Sequence, residues 1–153
     1  MKIALGADHG GLALKQVLAD DLRAKGFDVA DFGTSTEESV DYPDYGARVA
    51  RAVSEGEVDR AVLVCGTGIG MSIVANKFPR VRAALVTDNN MARMASAHNN
   101  ANILVLGGRS TDPVSARDMV ATWLETPFEG GRHEKRLALI AEIERKNTAL
   151  KEQ

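Results

Sequence analysis

Ala61-Val62-Leu63-Val64-Cys65-Gly66-Thr67-Gly68-Ile69-Gly70-Met71-Ser72-Ile73-Val74-Ala75-Asn76-Lys77 is the stretch whose reading decides the fold. Ala61 to Val64 is short, apolar and rich in β-branched side chains, the pattern of a buried strand, with Cys65 as its last residue. From Ile69 to Asn76 apolar residues recur at roughly helical spacing. Gly66, Gly68 and Gly70 lie between the two, around Thr67. Glycines at alternate positions let the backbone approach a ligand closely and turn N–H groups toward one point. A helix starting there adds the positive end of its dipole. The turn suits a fixed or developing negative charge, and the thiol beside it is a candidate base. A strand, glycine turn and helix also occur throughout α/β folds, and a cysteine at a strand end is commonly a small core residue. The rest of the chain has to separate these readings.

Working outward, Lys2 to Gly6 reads as a first strand and Ala7-Asp8-His9-Gly10-Gly11 as a turn. Leu12 to Lys25 follows as an amphipathic helix with Leu14, Val17, Leu18 and Leu22 on one stripe, closed by Gly26. Phe27 to Phe32 is a second strand, which completes a βαβ unit and implies a parallel sheet. Gly33 to Asp44 is a polar loop over the strand ends, and Pro43 opens a helix to about Ser54. Beyond the organising stretch, Arg82 to Thr87 is a fourth strand, and Asp88 can cap a helix running to about His98. Ile103 to Leu106 is a fifth strand, Asp112-Pro113 starts a helix reaching Glu125, and a last helix covers about 132–150. The expected fold is a single α/β domain over 1–153: three layers, α/β/α, around a Rossmann-like open parallel five-stranded sheet.

Composition narrows the functional classes. A chain of 153 residues, 44% hydrophobic and with a formal charge of −2, fits one globular domain and carries no electrostatic footprint for nucleic acid. No apolar run approaches the roughly 20 residues that cross a membrane. Met1-Lys2 leads straight into the first strand, leaving no room for a signal peptide. A single cysteine excludes an internal disulfide and suits a reducing compartment, so the expected location is cytoplasmic.

Open parallel sheets bind ligands at the carboxyl ends of their strands. Asp8-His9, Cys65 to Gly70, Asp88 and Arg109 all fall there. Asp8 reads equally as a helix cap or as a carboxylate for sugar hydroxyls, with His9 facing an anion. Tyr42 on its loop either covers a ligand or packs against Pro43. His98, at a helix end before the fifth strand, either satisfies the last carbonyls or acts as an acid–base group, for which an imidazole's ordinary pKa is suited. Asn99, Asn100 and Asn102 make that corner polar, or serve as turn formers. Arg132 and Arg136 are four apart and face one way on a helix, which suits a phosphate or a solvated surface beside Glu129 and Glu134. Arg109 is a third candidate for that anion. Three histidines and one cysteine lack ligand spacing, so no metal site is expected.

Several of these segments together resemble the ribose-5-phosphate isomerase B family, which includes galactose-6-phosphate and allose-6-phosphate isomerases. The resemblance rests on Asp8-His9-Gly10-Gly11, Asp41-Tyr42-Pro43, Cys65 to Gly70 with Ser72 and Ala75-Asn76-Lys77, His98-Asn99, and Glu129-Gly130-Gly131-Arg132-His133 with Arg136. It covers the chain to about Glu144. It implies a cofactor-free aldose–ketose isomerase that interconverts ribose 5-phosphate and ribulose 5-phosphate through an enediolate. By that resemblance Cys65 is the base between C1 and C2, and Thr67 with the backbone of Gly66, Gly68, Ile69 and Gly70 holds the enediolate oxygens. His98 opens the furanose ring, with Asp8 assisting at the hydroxyls. His9, Arg132 and Arg136 bind the phosphate, and Tyr42, Asn99 and Arg109 line the site. Members that lack the cysteine carry a glutamate base just after the glycine turn; Met71 stands there, which selects Cys65. The resemblance also implies a homodimer or larger assembly with sites at the subunit interface. Two alternatives remain at this point: another aldose phosphate (allose 6-phosphate, galactose 6-phosphate or a tetrose phosphate), and a non-catalytic phosphosugar-binding module. A thiol redox protein would need a resolving cysteine.

Overall fold

The structure, a computed structural model, describes residues 1–151. Five strands alternate with helices: β1 (Lys2–Ala7), α1 (Leu12–Ala24), β2 (Asp28–Asp31), α2 (Tyr42–Ser54), β3 (Arg60–Cys65), α3 (Ile69–Ala75), β4 (Ala83–Leu85), α4 (Asn89–Ala97), β5 (Ile103–Gly107), α5 (Pro113–Glu125) and α6 (Arg132–Lys151). All pairings are parallel, in the order β2-β1-β3-β5-β4.

The three central strands are apolar on both faces, as a sheet covered by helices on both sides requires. Ile3, Leu5, Val62, Val64, Leu104 and Leu106 pack with α1, α4 and α5. The alternate residues Ala4, Ala61, Leu63, Cys65, Ile103 and Val105 pack with α2 and α3. Trp123 of α5, fully buried, fills the first core and donates its indole N–H to the Ala101 carbonyl at 3.0 Å. The three expected layers are therefore present. α6 stands outside them, held along the β4 edge where the Glu144 carboxylate accepts the Arg80 amide at 3.0 Å. Among the described residues no helix is long and apolar enough to cross a membrane.

Several boundaries differ from expectation. The edge strand β4 stops short of Arg82–Thr87, because Arg82 turns its amide to the Asn102 side chain instead of the ladder. Tyr42 is the first residue of α2 rather than part of the loop, with Asp41 at the cap. Asp8 caps no helix: Gly11 occupies that position, and the Asp8 carboxylate accepts the Gly10 amide at 2.9 Å in a local turn.

Candidate active site

β1 feeds α1 on one face of the sheet and β3 feeds α3 on the other, so a crevice opens between their carboxyl ends. This is the switch point where open α/β sheets place ligands. The turns that line it interlock through glycines. A Cβ on Gly11 would lie 2.6 Å from the Val64 carbonyl oxygen, and one on Gly108 would lie 2.5 Å from that of Gly10. Side chains at either position would push the turns after β1, β3 and β5 apart.

Cys65 closes β3 opposite Gly107 of β5 and is 5% exposed. Its Sγ accepts the Gly68 amide at 3.2 Å. Gly68 has φ +81°, a left-handed conformation that glycine adopts freely, and this aims its N–H back at the sulfur. The Thr67 hydroxyl accepts the Ile69 amide at 3.3 Å, which curls the turn. α3 is seven residues long, so these individual amides, rather than a long helix dipole, supply the positive field. Met71 is fully buried against the second core and offers no base.

Other expected residues converge on this turn. The Arg109 guanidinium passes over Gly66, where a Cβ would stand 3.1 Å from Nη1. The Tyr42 ring sits on Gly70, where a Cβ would meet Cζ at 2.5 Å. His9 Nδ1 accepts the Val40 amide at 3.2 Å, which assigns the ring proton to Nε2 as a donor. The loop carrying Val40 is anchored by Lys15, a buried cation not singled out in the sequence reading. Its Nζ bonds both Asp31 oxygens, at 2.7 and 2.9 Å, and the Thr34 carbonyl at 2.8 Å.

The remaining residues gather elsewhere. α4 returns the chain to the amino ends of the strands, so His98 and Asn99 lie before β5 begins, beside Arg82 before β4. Arg82 Nε donates to the Asn99 and Asn100 carbonyls at 3.2 and 3.0 Å. At a strand's usual rise, β5 alone separates this end from Gly107 by about 13 Å. Within one chain, then, His98 and Asn99 do not reach Cys65.

At that end the His98 ring stacks on His133, with centroids 4.1 Å apart and planes 14° from parallel. Glu129 Oε2 stands 3.7 Å from His98 Nε2 and 3.5 Å from His133 Nε2. Burial, then the neighbouring His98 and Arg132, hold the His133 imidazole below its ordinary pKa, against an opposing pull from Glu129. These three side chains form the cluster of potential metal ligands that sequence spacing does not reveal. Near-parallel rings, however, aim their lone pairs side by side rather than at one point. Arg132 and Arg136 emerge next to them, both exposed. Among the described residues neither forms a salt bridge with a carboxylate, which leaves two adjacent cations for an anion.

The chain is similar to known proteins along nearly its whole length. The family described as Ribose/Galactose Isomerase matches residues 3–140. A ribose-5-phosphate isomerase B of Escherichia coli (strain K12) is 43% identical over 145 residues, covering 95% of this chain and 97% of that protein. The structure of a Clostridium thermocellum ribose-5-phosphate isomerase B superposes with a TM-score of 0.95 at 54% identity, covering 96% of this chain and 99% of that one. A Mycoplasma genitalium ribose-5-phosphate isomerase B, solved with bound ribulose-5-phosphate, gives 0.92 at 38% identity, covering 94% and 96%.

Proposed function

This chain belongs to the ribose/galactose isomerase family, and on that premise we propose that it interconverts ribose 5-phosphate and ribulose 5-phosphate through an enediolate. The observation that carries the reading is Cys65: a sulfur at the end of a central strand, held under the Gly68 amide at 3.2 Å, in the crevice where substrate binds. His98 supplies a proton to the ring oxygen as the C1–O4 bond breaks and the C1 hydroxyl gives up its own, with Asp8 assisting at the hydroxyls. Cys65, as thiolate, takes the proton from C2 of the open aldose and returns it to C1. The electron pair passes into an enediolate held by the amides of Gly66 to Gly70 and by Thr67, in which the proton of the C2 hydroxyl passes to O1, so that C2 becomes the carbonyl as C1 takes up its hydrogen. His9, Arg132 and Arg136 bind the phosphate, and Tyr42, Asn99 and Arg109 line the site.

Because His98 and Cys65 lie at opposite ends of the sheet, the complete site is composite, with the sulfur end of one copy facing the histidine–arginine end of another. Large apolar side chains exposed beside each half support this pairing: Ile69 and Ile73 on α3, and Leu139, Ile140 and Ile143 on α6. A homodimer is the smallest assembly that provides it.

The test is direct conversion of ribose 5-phosphate by the purified protein and by Cys65→Ala. The variant should bind substrate yet lose turnover, and retention of most of the rate would assign the proton transfer to another group.

A further inference from the structure

Glu129 and His133 have no part in the reaction as set out so far, yet both stand against His98, His133 through its stacked ring and Glu129 through its carboxylate. His98 is one-third exposed, whereas His133 beneath it is almost fully buried. The buried ring is fixed by the start of α6, where its own amide bonds the Gly130 carbonyl at 3.0 Å. Glu129 is fixed by its amide on the Ala97 carbonyl at 3.0 Å, one residue before His98. A buried ring and a carboxylate carried on a pinned backbone therefore stand against a side chain that is itself one-third exposed. At 3.7 Å the carboxylate attracts the Nε2 edge of His98 without closing a hydrogen bond, so a proton on Nε2 stays available for a substrate oxygen. The charged groups facing the pair are Glu129 from the loop and Arg132 and Arg136 from α6.

We propose that Glu129 and His133 are positioning residues for His98: the stacked His133 ring sets the plane of the imidazole, and the Glu129 carboxylate sets the direction of its Nε2 edge. The inference rests on the ring-opening role given to His98 above. Two activities separate the pieces. Isomerisation of cyclic ribose 5-phosphate needs ring opening, whereas wash-in of solvent deuterium at C1 of ribulose 5-phosphate, an open-chain ketose, needs the base and the phosphate ligands but no ring opening.

His133→Ala should lose on the order of ten- to a hundredfold more in isomerisation than in exchange, the usual penalty for a misplaced catalytic group. His133→Phe, which keeps a flat neutral ring, should recover most of that loss. Glu129→Gln, an exposed change that leaves the fold alone, should show the same split at about threefold. The ring-current shift of the His98 imidazole protons in NMR spectra should disappear in His133→Ala and persist in His133→Phe. Equal losses in both activities, or a Phe variant no better than Ala, would overturn the platform, and a Glu129→Gln variant without the split would overturn the carboxylate's part. His98→Asn run alongside identifies the level of any failure. If it shows no split, the ring-opening role falls and this inference with it.

Discussion

Mixing two inactive variants should restore activity. Cys65→Ala lacks the proposed base and His98→Asn the proposed ring-opening acid, and each alone should be nearly inert on cyclic ribose 5-phosphate. The two positions sit at opposite ends of a sheet whose β5 strand spans about 13 Å, too far for one chain to combine them. In a hybrid dimer, one composite site receives Cys65 from the His98→Asn chain and His98 from the Cys65→Ala chain, while the second site receives neither. Random reassortment makes about half of the dimers hybrid, each with one working site of two, so the mixture should reach about a quarter of wild-type activity per site. Hybrids isolated through two different affinity tags should reach about half. The assay is ribulose 5-phosphate formation after co-expression, with tandem purification proving that hybrids form. If purified hybrids stay as inactive as the parents, Cys65 and His98 do not share a site across copies, and the composite reading is wrong.

Arg136→Ala should raise the Michaelis constant roughly ten- to a hundredfold with little change in kcat, by removing a charged hydrogen bond to phosphate; a fall in kcat alone would count against phosphate binding. In Gly70→Ala the new methyl would lie 2.5 Å from the Tyr42 ring, so kcat/KM should drop while the melting temperature barely moves, since Tyr42, 38% exposed, can shift outward to make room. Unchanged kinetics would remove Tyr42 from the site wall. Lys15→Met strands the Asp31 carboxylate, which reaches solvent on one side, so thermal unfolding should show a loss of about 2 kcal/mol rather than the full penalty of a sealed pair, roughly 4–8 °C. His133 is held below the ordinary imidazole value in the folded chain. The unfolded chain therefore binds the extra proton first, and stability should fall as pH drops below about 6.5 toward the lower folded-state value. Denaturant titrations of His133→Phe should be flatter over that range, and identical slopes would refute it.

Much of the fold was legible because its signals are local. The alternation that sends Val62 and Val64 to one core and Leu63 and Cys65 to the other follows from strand geometry alone. The Cys65–Gly70 turn announced itself through glycine spacing, and Asp88 and Asp112 cap their helices as expected. Lys15 was hidden because a polar residue within a helical pattern reads as solvent-facing. Its burial depends on Asp31 and the Thr34 carbonyl, brought to it only by the packing of β2 and the following loop. The His98–His133 stack joins residues 35 positions apart in sequence, a contact made by the return of α4 and the start of α6. One clue to the placement of His98 away from Cys65 was present: a residue between a helix and the next parallel strand must lie at that strand's amino end.

That division has a physical logic. Drawing hydrogen from carbon needs a dry, amide-lined niche, which the interlocked glycine turns at the carboxyl rim provide around a nearly buried sulfur. Holding a phosphate needs unpaired cations, and setting Arg132 and Arg136 into the same crevice would have required burying them beside Arg109 in the free chain, with like charges crowded and desolvated. In the proposed composite site, carrying the pair on an exposed helix would leave them in water until a second copy brings a substrate phosphate that neutralises them. Association and substrate binding then draw on the same charges, so substrate analogues bearing the phosphate should tighten the dimer, and analogues without it should not.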